Sequence, residues 1–545
     1  MENKKVTIEI NGENFSFPPG TNILQACNKS GFPVPHFCYH PCLSISGNCR
    51  MCMVELEMNE RSKVDVACVN TVAEGLKVRT DTPAVLKARR ASLEFLLLNH
   101  PLDCPYCDCA GECKLQDYYE EYGNPEYSRF VEEKIHKTKR QSIGRNLRLD
   151  AERCVLCTRC VRFFEEVVGK KELGVLHRGS HSEIHALAET GVDNDYTGNV
   201  VDICPVGALT DNNFRFQRRT WYLQSVPTIC AGCARGCNIE LQFDLEHDYK
   251  REGKRVQRIK PRYNEQINSF WICDSGRYGY DSVDENRLQQ AVLNRDGELE
   301  QIDSQEAISE AARLISRFLE KNDNSNLTVL ASPDETNEGL VALKQLFKEG
   351  LQLPNIDYRV AGEPIGEDDQ LLKRADLHPN SHGCADLKLE PKFPAGSLAE
   401  QIENGSVTGL IALRHNLPSL LDSSLLEKLK LLIVLETHDI KWSRQPDLLL
   451  PLAVYAEQSG SFTNCDGITQ QINAAFAPMG QAAATLDIMH QLAGKLNVKG
   501  VPANLEQARK LMSSINTDFA NITGPVAEPS SQISKEANMR GKAHV

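Results

Sequence analysis

No apolar run in this 545-residue chain approaches the roughly 20 residues that span a bilayer, and the opening MENKKVTIEINGENF lacks the apolar core of a signal peptide. A cytosolic chain is expected. Basic residues are too few for sequence-independent phosphate binding: 61 Lys and Arg stand against 74 Asp and Glu, a formal net charge of −13. No nucleic-acid partner is expected. There is no phosphate-cradling Walker loop, no dinucleotide fingerprint and no catalytic-triad signature, so no independent substrate site is expected. The second half is almost without cysteine, holding only Cys384 and Cys465.

What the chain does have is 20 Cys, 18 of them between Cys27 and Cys273. Disulfides are a poor reading in a reducing compartment, which leaves metal ligation as the default. A length of 545 residues with 41% hydrophobic and 25% charged residues fits a multidomain globular protein. The front is dense in metal-binding residue types, and the back is ordinary.

The first 80 residues read as a small ferredoxin-like unit: VTIEI and NFSF alternate around Asn11-Gly12, a hairpin signal, and PPG leads into a short helix near NILQACNKSG. Cys38, Cys49, Cys52 and Cys68 follow with 10, 2 and 15 residues between them. This is not the plant-type C-x4-C-x2-C spacing, so the generic rule does not assign a 2Fe-2S cluster, and spacing alone leaves Cys42 free to exchange with Cys38 or Cys49. The loop GNCRMC favours a cluster physically: Gly47 permits a turn that aims amide N–H groups at sulfur, and two thiolates three positions apart can grip one iron. Cys27 and Cys42 read as ordinary small thiols, and His36 and His40 as loop residues.

A second set, His100, Cys104, Cys107 and Cys113, has 3, 2 and 5 residues between its members and follows the helical stretch AVLKARRASLEFLLL. One His with three Cys suits structural zinc as well as a 4Fe-4S cluster. Cys109 lies among these ligands as a possible alternate. The third set is more specific. CVLCTRC supplies Cys154, Cys157 and Cys160, and DICPVGAL supplies Cys204 before Pro205, three ligands from one half of a two-cluster ferredoxin and the Cys-Pro of the other. The twin site's own positions hold Phe164, Asn194, Thr197 and Val200, so one 4Fe-4S site is complete and its partner erased. Cys230, Cys233, Cys237 and the distant Cys273 form the fourth set, with 2, 3 and 35 residues between them; four-Cys zinc is the competing reading by spacing. Lys260 and Arg262 within it read as surface residues.

The back half is α/β in pattern. SQEAISEAARLISRFLEKND places Ile308, Ala311, Ala312, Ile315 and Leu319 on one helical face, with Asp303 and Glu306 positioned to cap its start. Strand-like runs recur at LTVLAS, VTGLIAL and LKLLIVLE between helical stretches, which predicts a doubly wound sheet.

HFCYHPCLSISGNCRMCMVE with VACVNTV, NHPLDCPYCDCAGECKLQD, CVRFFEEVVG and GNVVDICPVGALTD resemble segments of the largest iron-sulfur subunit (75 kDa-type) of NADH-quinone oxidoreductase, respiratory complex I. The resemblance implies Cys38, Cys49, Cys52 and Cys68 as 2Fe-2S ligands, and His100, Cys104, Cys107 and Cys113 as 4Fe-4S ligands. Cys109 departs from the family pattern. PTICAGCARGCNIEL with WICDSGRYGYD resembles the 4Fe-4S motif that opens the molybdopterin oxidoreductases, implying Cys230, Cys233, Cys237 and Cys273 as a further 4Fe-4S set. LLIVLETH and DLLLPLAVYAEQSGSFTNCDGITQQI resemble the same superfamily, but neither Cys384 nor Cys465 stands where a metal-binding thiol is expected.

The expected architecture is therefore multidomain α/β: a β-grasp 2Fe-2S ferredoxin-like domain at 1–80, a 4Fe-4S domain with one His and three Cys ligands at 81–139, and a bacterial ferredoxin-like 4Fe-4S domain at 140–222. A 4Fe-4S motif plus a shortened molybdopterin-oxidoreductase-like domain occupies 223–520, and a flexible tail 521–545. The cofactors implied are one 2Fe-2S and three 4Fe-4S clusters, without molybdopterin. The role implied is electron transfer within the proton-translocating NADH:quinone oxidoreductase. Electrons from the flavin of a partner subunit pass toward quinone through the three sets before Cys230, and the fourth lies off that path. Implied partners are the flavin/NADH-binding subunit and downstream 4Fe-4S subunits of the peripheral arm. The implied location is peripheral, on the cytoplasmic side of the bacterial inner membrane, with membrane association only through the complex. Two rivals share parts of the pattern: an electron-transfer subunit of an NAD-linked hydrogenase or formate dehydrogenase, and a zinc-stapled interaction scaffold.

Overall fold

Asn11 and Gly12 take φ of 50° and 95°, the left-handed pair that a tight hairpin turn requires, so Val6–Ile10 and Glu13–Phe17 pair antiparallel. A computed structural model describes residues 5–123, 133–247, 251–359, 363–389 and 397–524 of the chain. These residues fall into two units that divide after Leu223. Among the described residues no helix is long and apolar enough to cross a membrane.

In the first unit the hairpin joins a five-stranded sheet of order Glu13–Phe17, Val6–Ile10, Lys77–Arg79, Met53–Met58, Arg61–Val66. Only the Val6–Ile10 and Lys77–Arg79 pair is parallel. The helix Ile23–Lys29, begun by Asn22 accepting from the Gln25 amide at 2.8 Å, packs Leu24, Ala26 and Cys27 on Ile8, Ile10, Val54 and Val78. The helix Pro83–Leu97 starts with Thr82 as its cap and Pro83 in its first turn, and Arg89 ties it to the sheet through the Met53 carbonyl at 2.8 Å. A small sheet of Leu209–Asp211, Leu147–Leu149 and Gln141–Ser142 supports the third cysteine set.

The second unit opens with three antiparallel strands, Gln224–Ile229, Asn238–Phe243 and Val256–Pro261. Its main sheet has seven strands in the order Glu298–Ile302, Ala291–Arg295, Leu448–Pro451, Leu431–Glu436, Gly409–Leu413, Leu327–Leu330, Asn355–Asp357. The last five are parallel, and four of them are buried along their whole length, as strands covered on both faces must be. One face, with Val329, Ile411, Ile433 and Leu450, packs on helices Ser304–Leu319, Asn337–Lys344 and Thr485–Lys495. The other, with Leu330, Leu410, Ala412 and Val434, packs on Leu398, Ile402, Leu417 and Leu426. The sheet is doubly wound, as the periodicity predicts.

Asp303 caps Ser304–Leu319 by accepting from the Gln305 and Glu306 amides at 2.8 and 3.0 Å. Glu306 does not return to the cap as the pattern suggests, because Arg295 holds it at 3.3 Å. Near the other end of the described chain, Thr523 donates its amide to the Thr469 carbonyl at 2.9 Å, so the start of 521–545 is paired with the strand Thr469–Ile472; residues 525–545 lie outside the described residues.

Candidate metal centres

Sheet pairing fixes the first set. Cys52 directly precedes the strand Met53–Met58, and the Ala67 amide donates to the Cys52 carbonyl at 2.8 Å, which brings Cys68 beside it. The Cys38 thiol lies within hydrogen-bonding reach of those of Cys49 and Cys68, and the Cys68 thiol within reach of that of Cys52. Hydrogen bonds from Cys49 and Cys68 hold the Cys38 thiol well below its ordinary range despite burial. Cys42 is exposed, while Cys27 is buried in the core, where burial pushes its thiol up to about 12. His40 is no ordinary loop residue: it is buried, and burial together with Arg159 and Lys114 lowers it to about 3.

The second set is less tightly gathered. Cys113 stands at the start of the helix Lys114–Tyr122, Cys107 is buried, and Cys104 is exposed at the start of the single turn Cys104–Tyr106. Cys113 touches Cys109, the residue outside the expected ligand set, and that hydrogen bond lowers the Cys113 thiol to about 7. Gly207 leaves room for Cys107: a Cβ there collides with the Cys107 sulfur. Burial, then Arg153, lowers His100 to about 4, which keeps its imidazole in the neutral form that ligates metal.

In the third set Cys154, Cys157, Cys160 and Cys204 line one cavity together with Arg159 and apolar side chains such as Leu149 and Ile184. Leu156 and Thr158, between these cysteines, take φ of 51° and 58°, a reversal that lets the Leu156 amide donate to the Cys154 sulfur at 3.4 Å. Burial pushes Cys154 up to about 12 and Cys204 to about 11. Thiolates in that space need a positive counter-charge, which is the chemistry that bound iron supplies. The four-thiol lining therefore fits the group that the sequence implies. At the twin positions Phe164 and Val200 are fully buried, Thr197 accepts from Asn146 at 3.0 Å, and the half-buried Asn194 donates to Glu172 at 2.6 Å.

The fourth set uses strand ends. Cys230 follows Gln224–Ile229, Cys237 precedes Asn238–Phe243, and the Cys230 amide donates to the Cys237 carbonyl at 2.9 Å. Cys273 caps the helix Asp274–Tyr278, its sulfur accepting from the Gly276 amide at 3.3 Å. Burial raises Cys237 well above the ordinary thiol, and the neighbouring Cys230, Cys273 and Cys233 add to the rise. Arg262 corrects the surface reading: it is 8% exposed and donates to Asn238 at 2.8 Å. Cys384 is buried in the sheet core; Cys465 is exposed, its amide donating to the Ala234 carbonyl at 2.8 Å. Among the described residues no three His, Cys, Asp or Glu side chains converge as a site for a single metal ion.

Open α/β sheets bind ligands at the carboxyl ends of their strands. Here that region holds internal pairs of polar side chains: Arg414 with Glu335 at 2.9 Å, the His415 ring with Glu363 at 3.0 Å, and His378 with Asp334 at 2.9 Å. Sequence spacing misses these groups, and also Arg159 and Arg162, because their partners are far away along the chain.

Family models match in the same order as the cysteine sets. They are a 2Fe-2S iron-sulfur cluster binding domain over 3–83, an NADH-ubiquinone oxidoreductase-G iron-sulfur binding region over 89–127, and an NADH-quinone oxidoreductase subunit 3, ferredoxin-like domain over 144–210. A molybdopterin oxidoreductase Fe4S4 domain matches 223–285, and molybdopterin oxidoreductase 363–495. Fold and thiol groups together define an iron-sulfur protein joined to a molybdopterin-oxidoreductase-type α/β unit. The NADH-quinone oxidoreductase G subunit of Rickettsia bellii is 30% identical over 628 aligned residues, 95% of this chain and 90% of the relative. The chain belongs to that G-subunit family. The NADH-ubiquinone oxidoreductase 75 kDa subunit of Reclinomonas americana is 38% identical over 387 residues, 69% of this chain and 53% of that protein. Among solved structures, an NAD+-reducing [NiFe]-hydrogenase in the H2-reduced state is 30% identical with a TM-score of 0.34, covering 39% of this chain and 90% of that one.

Proposed function

We propose that the chain is the iron-sulfur electron-transfer subunit of NADH-quinone oxidoreductase and carries no substrate site of its own. The observation that carries this reading is the cavity lined by Cys154, Cys157, Cys160 and Cys204, whose Cys-Pro pattern is that of a 4Fe-4S ferredoxin site. Cys38, Cys49, Cys52 and Cys68 hold a 2Fe-2S cluster; His100, Cys104, Cys107 and Cys113, then the cavity set, then Cys230, Cys233, Cys237 and Cys273 each hold a 4Fe-4S cluster. When bound, the clusters supply one-electron carriers that need no acid, base or nucleophile. The chain's part is to exclude water around the sulfurs and to aim amides such as those of Leu156 and Gly276 at them, which tunes potential.

The domain limits follow the ligand sets: 1–80, 81–139, 140–222 and 223–520. The last is a shortened scaffold without molybdopterin, a reading supported by the polar pairs of Glu335, Glu363 and Asp334 at the carboxyl ends of the strands. The chain's partners are the flavin-bearing NADH-binding subunit and downstream 4Fe-4S subunits, and the assembly holds the chain at the cytoplasmic face of the bacterial inner membrane. The test is turnover in the assembled complex. Cys154→Ser is expected to abolish most NADH-to-quinone activity, and Cys273→Ser to spare it; full activity in the Cys154 variant rules the route out.

A further inference from the structure

Two guanidiniums sit where the first and third ligand sets meet. Arg159 and Arg162 are 5% and 9% exposed. Arg159 donates to the Ile203 carbonyl, next to Cys204, at 3.0 Å and to the carbonyl of Tyr39, next to Cys38. Arg162 donates to the carbonyls of Cys38 at 2.6 Å and Cys157 at 3.1 Å, and also to that of Ser44. Each fork therefore grips backbone from both sets at once. The seam continues through the Asn48 side chain, whose Nδ2 donates to the Leu156 carbonyl at 3.0 Å, and the Ser44 backbone amide, which donates to Glu166 at 2.7 Å.

The charge arrangement is the second observation. Among the described residues neither guanidinium pairs with a carboxylate; apart from the Thr158 hydroxyl, their acceptors are backbone carbonyls. The Arg159 Nε is buried with no hydrogen-bond partner among the described residues, and its side chain lines the four-thiol cavity. A buried cation without an anion is costly to keep out of water. Arg159 faces Cys157, Cys204 and Cys38 as well as Tyr118 and the imidazoles of His36 and His40, and Arg162 faces Cys157 and His40; the cysteines become anionic when they ligate iron.

We propose that Arg159 and Arg162 are positioning residues shared by the first and third ligand sets, fixing the spacing between the two clusters and biasing both with positive charge. The proposal rests on the ligand assignment above and goes beyond it. Arginine suits the task because its planar fork reaches two carbonyls and keeps its charge at any working pH; lysine retains only the charge.

The test is an EPR-monitored redox titration of the full chain, purified anaerobically with its clusters. In iron-replete Arg159→Gln and Arg162→Gln, both midpoints are expected to fall by about 59 mV, a tenfold change in the oxidised-to-reduced ratio for one electron. Arg162→Lys is expected to keep the midpoints near wild type while weakening the magnetic interaction between the two reduced clusters. Unmoved midpoints and interaction in an iron-replete Arg162→Gln overturn the proposal. If the Gln variants lose iron, the Lys variant decides through its interaction, a weakened one supporting the shared role and an unchanged one overturning it. If that variant also loses iron, loss from the first and third sets together supports the proposal, and loss confined to one overturns it. A wild-type chain lacking either signal defeats the ligand assignment itself before any variant is compared.

Discussion

Gly207 shows how a residue without a side chain serves the chemistry. A methyl group placed there meets the Cys107 sulfur and comes within 3.0 Å of the Cys109 Cβ. Gly207→Ala is therefore expected to displace Cys107 and remove about four irons per chain, with the other sets retained; metal analysis with EPR reads this directly. His378 behaves differently because it titrates. Burial pulls its pKa down, but Asp334 at 2.9 Å and Glu363, opposed by Arg359, leave it raised above the ordinary value. The folded state thus holds the proton more tightly than the unfolded one. The stability from this site is complete below about pH 6.5 and is lost as pH rises through the raised value. Thermal melts across that window are expected to show a decline that His378→Gln flattens.

At the scale of elements, capping and periodicity were legible and long-range pairing was not. The hairpin at Asn11-Gly12 and the buried face of Ser304–Leu319 follow from local pattern, because turn conformation and helical spacing are set by neighbours in the chain. Asp303→Ala is expected to cost about 1 kcal/mol, read as a shift in the urea midpoint at constant slope. Glu306 misleads for a physical reason: its carboxylate pairs with Arg295 on a separate strand instead of with the cap. The same holds at the metal centres. Spacing names the thiols, and the structure draws those of the first and third sets together. The contact of Cys113 with Cys109 and the bridging by Arg159 and Arg162 depend on three-dimensional packing that no local window contains. Arg262 is the clearest case, since a basic residue in a polar stretch reads as exposed until its Asn238 partner is known.

For the whole molecule, the division of labour is a front that gathers thiols and a back whose main sheet is sealed by apolar helices and internal polar pairs. Anaerobically purified chain is expected to contain about 14 irons with matching acid-labile sulfide, and neither molybdenum nor tungsten. Stoichiometric molybdenum or tungsten, or zinc without sulfide, contradicts this. The edges of the large sheet have a consequence of another kind. One edge is the exposed, acidic Glu298–Ile302, and the other is Asn355–Asp357, only three residues long. The strongly apolar strands between them are those most prone to cross-β stacking, yet the margins present either repelling charge or too little backbone to template a newcomer. Crowded nascent copies are thereby steered away from joining sheet to sheet.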